Sequence, residues 1–410
     1  MISDRQPKYE FSTLQDDFLI NPAQTYMALR SLPPIFWSSV ESGWVLHRYS
    51  DIAHVLADRS FAVVELAEVV RSLSEVAKKD TADLQAVLNE ILFLRNPPGH
   101  SEARQFLVAV LNNRPLSYHQ PLIAHIARSL LSYAPRDIPW DVATTYADLI
   151  PPLFMGQLLG LDRDIVLQLV ETVSEVTKAF DRGRSLRFYE RVNQTVTKAL
   201  GPIADVIAAR RKKPRDDGIS RMIALSDKQF FVTDRELANR ALFLIIGGVE
   251  TTSALIGNVI ASVIDHPAAW LALKSDPDRS IAAVEEGLRY DGPVQQITRI
   301  ATIDCEIAGQ PVVSGDRLVL LVGAAHRDPE IFSNPDMFDI YRPAQQHLAF
   351  GAGMHFCIGA ALARLEAQIA LKELIAFAPF SADICQREWL RHRTLRRLAS
   401  LTILLPSRSL

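Results

Sequence analysis

Cysteine is scarce in this chain. Three residues in 410, an odd number, cannot build a disulfide framework and are too few for most structural zinc modules. An excess of one charge is missing too: 44 basic against 47 acidic residues leave a net charge of −3, whereas a general nucleic-acid binder needs a marked basic surplus. The N-terminus, Met1-Ile2-Ser3-Asp4-Arg5-Gln6-Pro7-Lys8, lacks the basic-then-apolar layout of a signal peptide. No apolar run approaches bilayer length, since the stretch from Ala241 to Val249 is bounded by Arg240 and Glu250. These absences predict a soluble protein with no membrane anchor, in a reducing, cytoplasmic compartment. What the chain does have is apolar side chain, 48% of residues against 22% charged, enough for a real core and too much for a disordered chain.

Most of the sequence reads as helix. Apolar residues recur at helical spacing from Leu237 through Ala241, Leu244 and Ile245 to Ile264. Thr233-Asp234-Arg235-Glu236 is a capping-box pattern at the start, and Asp265-His266-Pro267 is a stop. The result is a helix of roughly thirty residues, far above the mean of about 11–12, apolar on nearly all sides and expected at the centre of the molecule. Further helices are expected over 281–290 and 358–377. Short strands are expected at 43–47, 302–307, 317–322 and 400–405. Asp328 to Phe350 reads as a long irregular stretch rich in Pro, Asp and Asn, and loops of that length are usually functional. No repeat, low-complexity segment or linker interrupts the chain, so a single domain over 1–410 is the economical expectation.

Four constellations carry chemistry. In Phe350-Gly351-Ala352-Gly353-Met354-His355-Phe356-Cys357-Ile358-Gly359, the cysteine precedes a helix whose positive end favours a thiolate. The glycines let backbone pass close to something bulky and flat, and Phe350 can shield the sulfur. A lone cysteine is more often an inert buried residue, but not with glycines, an aromatic and a histidine at these offsets. In Gly247-Gly248-Val249-Glu250-Thr251-Thr252, two glycines cost a helix interior roughly 1 kcal/mol each, and Glu250 puts an ionisable group on an apolar element. A tight helix crossing, with Glu250 paired to a distant cation, would explain this motif without chemistry. Glu286 and Arg289 lie one turn apart on one helix face, a spacing that alone usually marks a surface pair. In Asn96-Pro97-Pro98-Gly99-His100-Ser101-Glu102-Ala103-Arg104, His100 and Arg104 are spaced to point the same way.

With these motifs in this order, the chain resembles the cytochrome P450 family of haem-thiolate monooxygenases, over roughly residues 90 to 400. The resemblance implies a mainly α fold, a large helical domain with a minor β-rich part, and haem between the long central helix and the cysteine-loop helix. It implies haem b with Cys357 as the axial thiolate on iron, a ligand that favours O–O cleavage. Glu250 and Thr251 would be the acid–alcohol pair relaying protons to dioxygen, with Thr252 the lesser partner by position. His100, Arg104, Arg299 and His355 would contact the haem propionates, with His347 ranked below them. Glu286, Arg289 and Arg342, the last from Phe338-Asp339-Ile340-Tyr341-Arg342, would form a structural network beneath the cysteine loop. Gly247, Val294, Ile297 and Leu395 would touch an apolar small molecule of terpenoid, polyketide or fatty-acid type, a profile of secondary metabolism. His326 stands where many relatives carry asparagine.

Family members without an anchor typically receive electrons from a soluble ferredoxin and its NAD(P)H reductase. No reductase domain is expected here, and Arg364 is the candidate docking cation. Lys178, Arg182, Arg184, Arg187 and Arg191 gather around Phe180, Phe188 and Tyr189. The cluster is either a solvated basic face or a site for a carboxylic acid or a carrier-protein-bound substrate. Two other functions stay open. A peroxygenase or isomerase would usually lack the acid–alcohol pair, and a non-catalytic haem sensor would bring a fused output domain.

Overall fold

The structure is a computed structural model that describes residues 8–406 except 182, 344–345 and 379–380. The chain divides into two compact units, interleaved in sequence. The first takes residues 1–63, 127–147 and 251–410, and the second 64–126 and 148–250.

The first unit holds every described strand: β1 (Ile35–Ser38), β2 (Gly43–Leu46), β3 (Phe61–Ala62), β4 (Trp140–Asp141), β5 (Ile297–Ala301), β6 (Cys305–Ile307), β7 (Gln310–Val312), β8 (Arg317–Leu320), β9 (Asp383–Trp389) and β10 (Leu398–Leu404). Five form one sheet in the order β1-β2-β8-β5-β3, in which β2 and β8 run parallel and the other pairs antiparallel. Side chains alternate between two buried faces. Ile35, Trp37, Trp44, Leu46, Leu318 and Leu320 enter one core cluster, while Phe36, Val45 and Val319 enter another. The first cluster also takes in Ile297 of β5, and Leu348 and Ala352 of the cysteine segment, so one core supports both. β9 and β10 pair as a hairpin with β4 along the far side of β10.

The second unit is helical throughout its described residues, built on helices such as Ala82–Glu90, Gly99–Leu111, Ile150–Leu159, Arg163–Lys178 and Leu186–Lys212. Its core is aliphatic with Phe106 and Phe154 at full burial. Two buried ion pairs sit inside it, Arg210–Asp217 at 2.5 Å and Arg240–Glu90 at 2.9 Å.

The long helix runs from Asp234 to Asp265, and the boundary between the units falls within it, after Glu250. The capping box forms as read: Thr233 N donates to Glu236 Oε2 at 2.8 Å and Glu236 N to Thr233 Oγ1 at 3.3 Å. By length and composition this helix could cross a bilayer, contrary to the expectation from its flanking charges, but 83% of its apolar window is buried within the protein. It is a core helix.

The strand expected at 302–307 is corrected. β5 ends at Ala301, residues 302–304 turn, and β6 begins at Cys305. The turn is fixed by Thr302 N donating to Ser60 O (2.8 Å) and Asp304 Oδ1 accepting Ser314 N (2.7 Å). Residues 328–350 form no helix or strand among the described positions, as expected.

Candidate functional site: a cysteine loop and its supports

Within the first unit the cysteine segment is a tight loop closed by its own backbone. Gly351 N donates to Leu348 O (2.9 Å), Phe356 N to Gly353 O (3.1 Å) and Cys357 N to Phe350 O (3.0 Å). Gly351 and Gly353 take the left-handed conformation, φ +72° and +63°, and a Cβ on Gly353 would lie 2.9 Å from the Leu56 carbonyl. The Cys357 side is open: the cysteine is exposed, Phe356 is 41% exposed, and a Cβ on Gly359 would meet only the Cys357 sulfur, at 4.0 Å. The helix Ala360–Phe377 starts three residues after Cys357, with Gly359 as its N-cap.

The loop rests on three supports, the first two buried. His326 Nε2 accepts the Leu348 N–H at 2.8 Å, and burial holds the pKa of this imidazole well below its ordinary value, so it is a neutral acceptor. Glu286 binds Arg289 twice (2.7 and 2.8 Å) and Arg342 Nε (3.1 Å). Arg289 also donates to the His326, Pro335 and Met337 carbonyls, which ties the irregular segment together. The Ser280–Asp291 helix packs closely on the long helix at Gly287, where a Cβ would lie only 2.4 Å from Val259 Cγ2. The third support is Glu285, which accepts from Arg364 (2.6 Å) and faces His347 Nε2 at 3.1 Å. Burial alone would raise the Glu285 carboxyl, but hydrogen bonds from His347 and Arg364 and their charges hold it down at about 2. Arg364, the candidate docking cation, pairs with Glu285 and stacks over Phe350 at 4.4 Å. His347 is likewise engaged by Glu285.

Arg299 lies in β5, 5% exposed. Its described hydrogen bond is to the Thr298 carbonyl (3.0 Å), and no carboxylate pairs with it among the described residues. Burial lowers its pKa to about 10. A buried guanidinium without an anion calls for one from outside the chain, and a haem propionate is such an anion. Together with a cysteine on an open, glycine-lined side, this donor set fits a haem. His355 is half-buried in the turn between Gly353 and Cys357. In the second unit His100 is 2% exposed, and burial, with the charges of Arg104 and Arg95, lowers its pKa. Arg104 is half-buried on the same helix.

The two glycines of the long helix differ. Gly248 is packed: a Cβ there would lie 3.1 Å from Met155 Sδ. Gly247 is not, its nearest neighbour being Phe243 at 3.6 Å, and it is exposed on a helix otherwise almost wholly buried. A tight crossing therefore accounts for Gly248 and leaves Gly247 unexplained. Thr251, one turn beyond Gly247, is half-buried, whereas Glu250 and Thr252 are buried. Beside Gly247, Phe243 packs against Phe93 (6.5 Å) and Phe93 against Phe180 (5.3 Å), with Phe93 42% exposed. The sequence reading missed Phe93, whose only signal was its place just ahead of the Asn96–Arg104 motif. In the first unit, Val294 and Ile297 are half-buried, Leu395 is buried, and Val294 and Leu395 pair in an antiparallel bridge.

Three cations of the basic cluster are paired, on two carboxylates. Lys178 pairs with Glu175 (2.8 Å), Arg184 with Asp181 (2.8 Å) and Arg191 with Glu175 (3.2 Å), while Arg184 and Arg191 flank Phe188. Arg187 is exposed, and Arg182 lies outside the described residues.

A cysteine loop of this form, a buried cation awaiting an anion and a mainly helical fold define a haem-thiolate protein. The family model described as Cytochrome P450 matches residues 164–388, and the chain belongs to the cytochrome P450 family. It is 34% identical to the biotin biosynthesis cytochrome P450 of Bacillus subtilis (strain 168), over 94% of this chain and 95% of that one. To the cytochrome P450 monooxygenase PikC of Streptomyces venezuelae it is 30% identical, over 97% and 94%. The crystal structure of P450BioI in complex with hexadec-9Z-enoic acid ligated acyl carrier protein matches with a TM-score of 0.86 and 33% identity, covering 95% of this chain and 99% of that one. The protein is thus a P450 monooxygenase whose cofactor is haem with a cysteine axial ligand.

Proposed function

We infer that this monooxygenase oxidises an apolar acyl chain, as the free acid or joined to a carrier protein, with electrons from a separate ferredoxin and its NAD(P)H reductase in the cytoplasm. The observation that carries the haem site is the open Cys357 loop in the same unit as the buried Arg299, which no carboxylate pairs among the described residues. Haem, when bound, supplies dioxygen activation and the insertion of one oxygen atom, drawing two electrons and two protons.

The chain's own residues do the rest. Cys357 offers its sulfur as thiolate, favoured by the helix that starts three residues on. Arg299 and His355 would hold the haem propionates, and His100 and Arg104 are assigned the same task on the resemblance. Glu250 passes a proton from its carboxyl to the Thr251 hydroxyl, which delivers it to the oxygen substrate. Gly247 keeps the helix surface low beside them. Substrate contacts are assigned to Val294, Ile297 and Leu395, and to Gly247 with Phe243 and Phe93. Glu286, Arg289 and Arg342 keep the loop in place and take no part in the chemistry.

The acyl class rests on similarity to a relative named for biotin biosynthesis and to the complex with an acyl carrier protein. The internal pairing of Lys178, Arg184 and Arg191 argues that the basic cluster is not a carboxylate site. The test is optical: titrate the holoenzyme with hexadec-9-enoic acid, its methyl ester and the same acyl group on a carrier protein. A low-to-high-spin shift with any of the three supports the acyl reading, and equal shifts for acid and ester support an apolar pocket. No shift with any of them, alongside a full shift with a macrolide, would overturn it.

A further inference from the structure

The loop that carries Leu395, residues 390–397 between β9 and β10, is tied to the N-terminal part of the chain by a buried polar ring. Arg393, 7% exposed, donates from Nε to Thr13 Oγ1 at 2.6 Å and from Nη2 to Glu41 Oε2. Thr13 donates its hydroxyl (2.7 Å) and its backbone N–H (2.8 Å) to Glu41 Oε1, and both residues are almost fully buried. Burying such a pair gains little over an apolar core of the same volume, because desolvation offsets the attraction. What the ring supplies is position.

Its reference point is the five-stranded sheet. Glu41 stands in the turn between β1 and β2, where its N–H is held by Ser38 Oγ (3.0 Å) and Ser38 in turn donates to Phe11 O (2.6 Å). β2 pairs with β8, and β8 with β5, the strand into which Val294 leads. The Val294 segment leads directly into the sheet, and the sheet reaches Leu395 both through that segment and through Glu41 and Arg393. Where the two segments meet, Val294 bridges Leu395, Gln295 N donates to Thr394 O (2.9 Å) and Arg396 N to Pro293 O (2.7 Å). The C-terminal end of the loop has its own anchors: Asn258 Nδ2 donates to the Arg396 carbonyl (2.9 Å), and Arg396 pairs with Asp291 (3.2 Å). Loss of Arg393 would thus remove the buried tie on the N-terminal side of Leu395 while the backbone bonds to residues 293–295 and the Arg396 anchors stay in place.

We propose that Thr13, Glu41 and Arg393 are positioning residues that set how closely Leu395 approaches Val294, and thereby the bulk of the molecule the enzyme admits. The proposal rests on the assignment of Val294 and Leu395 to the substrate wall. It assigns a specificity role to residues with no contact to haem or substrate.

The test compares two iron ligands in the holoenzyme by their Soret shifts: imidazole, which reports the iron alone, and 1-dodecylimidazole, whose chain must pass the wall. Leu395→Phe checks the wall itself and should weaken the dodecyl ligand selectively. If it moves neither ligand or both equally, the wall assignment falls, and the proposal with it. Given that separation, Arg393→Met and Thr13→Val should change the dodecylimidazole Kd about 3- to 10-fold and the imidazole Kd less than about 2-fold, the scale of coupling within one network. Arg393→Lys, which keeps a cation for Glu41, should recover part of the difference. Thr13→Val retains every charge, so it remains informative if Arg393→Met fails to fold. Unchanged ratios in Thr13→Val, or in all folded variants, while Leu395→Phe separates the ligands, would overturn the proposal.

Discussion

Arg299 is the residue that most directly separates a haem protein from a merely helical one. A buried guanidinium that no carboxylate pairs among the described residues is a liability to the apoprotein and an asset once an anion arrives. Arg299→Leu should therefore raise the apoprotein's midpoint in urea while lowering haem retained per chain. A fall in both would show that Arg299 is simply part of the core. Thr251 calls for a different readout. Thr251→Ala should cut product formation by about 10²-fold, the lower range for loss of a positioned proton donor, while NAD(P)H consumption continues. Product formed in full proportion to NAD(P)H would remove Thr251 from the proton route. At this scale the sequence was most readable in the cysteine motif, whose glycines the structure places in left-handed turns of a tight loop. It was least readable where a side chain's partner lies far along the chain. Arg364, read as a candidate docking cation, is paired with Glu285, a partner 79 residues away in sequence.

Among the elements, three helices and the strands β2, β8 and β10 were legible, whereas β1 and β9 were not. The long helix carries its own start and stop, so its bounds followed from Thr233, Glu236 and Pro267 to within a residue. β1 is Ile-Phe-Trp-Ser, buried on both faces, so it shows no alternation, and four residues are too few to distinguish from a helical fragment. β9 fails in the opposite sense: Asp383–Trp389 is largely exposed and polar, and only its pairing with β10 makes it a strand. The element supporting the site most heavily is the Ser280–Asp291 helix, through Glu286. Glu286→Ala would leave two buried arginines facing each other, a loss of roughly 3–5 kcal/mol. The expected outcome is a chain that does not retain haem, seen as a lost Soret band at normal expression. A variant with full haem content would place the loop's support elsewhere.

Across the whole molecule, the two units divide the inferred roles. The first holds the cysteine loop, Arg299 and the sheet, and the second holds His100, Arg104 and the aromatic trio, with the long helix contributing to both. Nothing in composition or periodicity marks this division, because its boundary falls inside one continuous helix. Acid stability should report the Glu285 cluster. The Glu285 carboxyl sits near 2 in the folded protein, against an ordinary value near 4.5, so the folded state favours the ionised form. Its contribution is complete above about pH 4.5 and is lost as pH falls from there toward 2. It should be modest, because the side chain is 39% exposed. Denaturant unfolding of Glu285→Gln over that range should show a shallower pH slope than the parent, and identical slopes would remove Glu285 from the acid response.

The central claim is that Cys357 ligates haem iron as a thiolate, and the difference spectrum of the reduced protein with carbon monoxide tests it most directly. The strongly red-shifted Soret band of a thiolate–carbonyl complex is predicted for the parent, and a band at the shorter wavelength of an imidazole ligand for Cys357→His. An imidazole-type band in the freshly purified parent, or a thiolate-type band that survives in Cys357→His, would contradict the account.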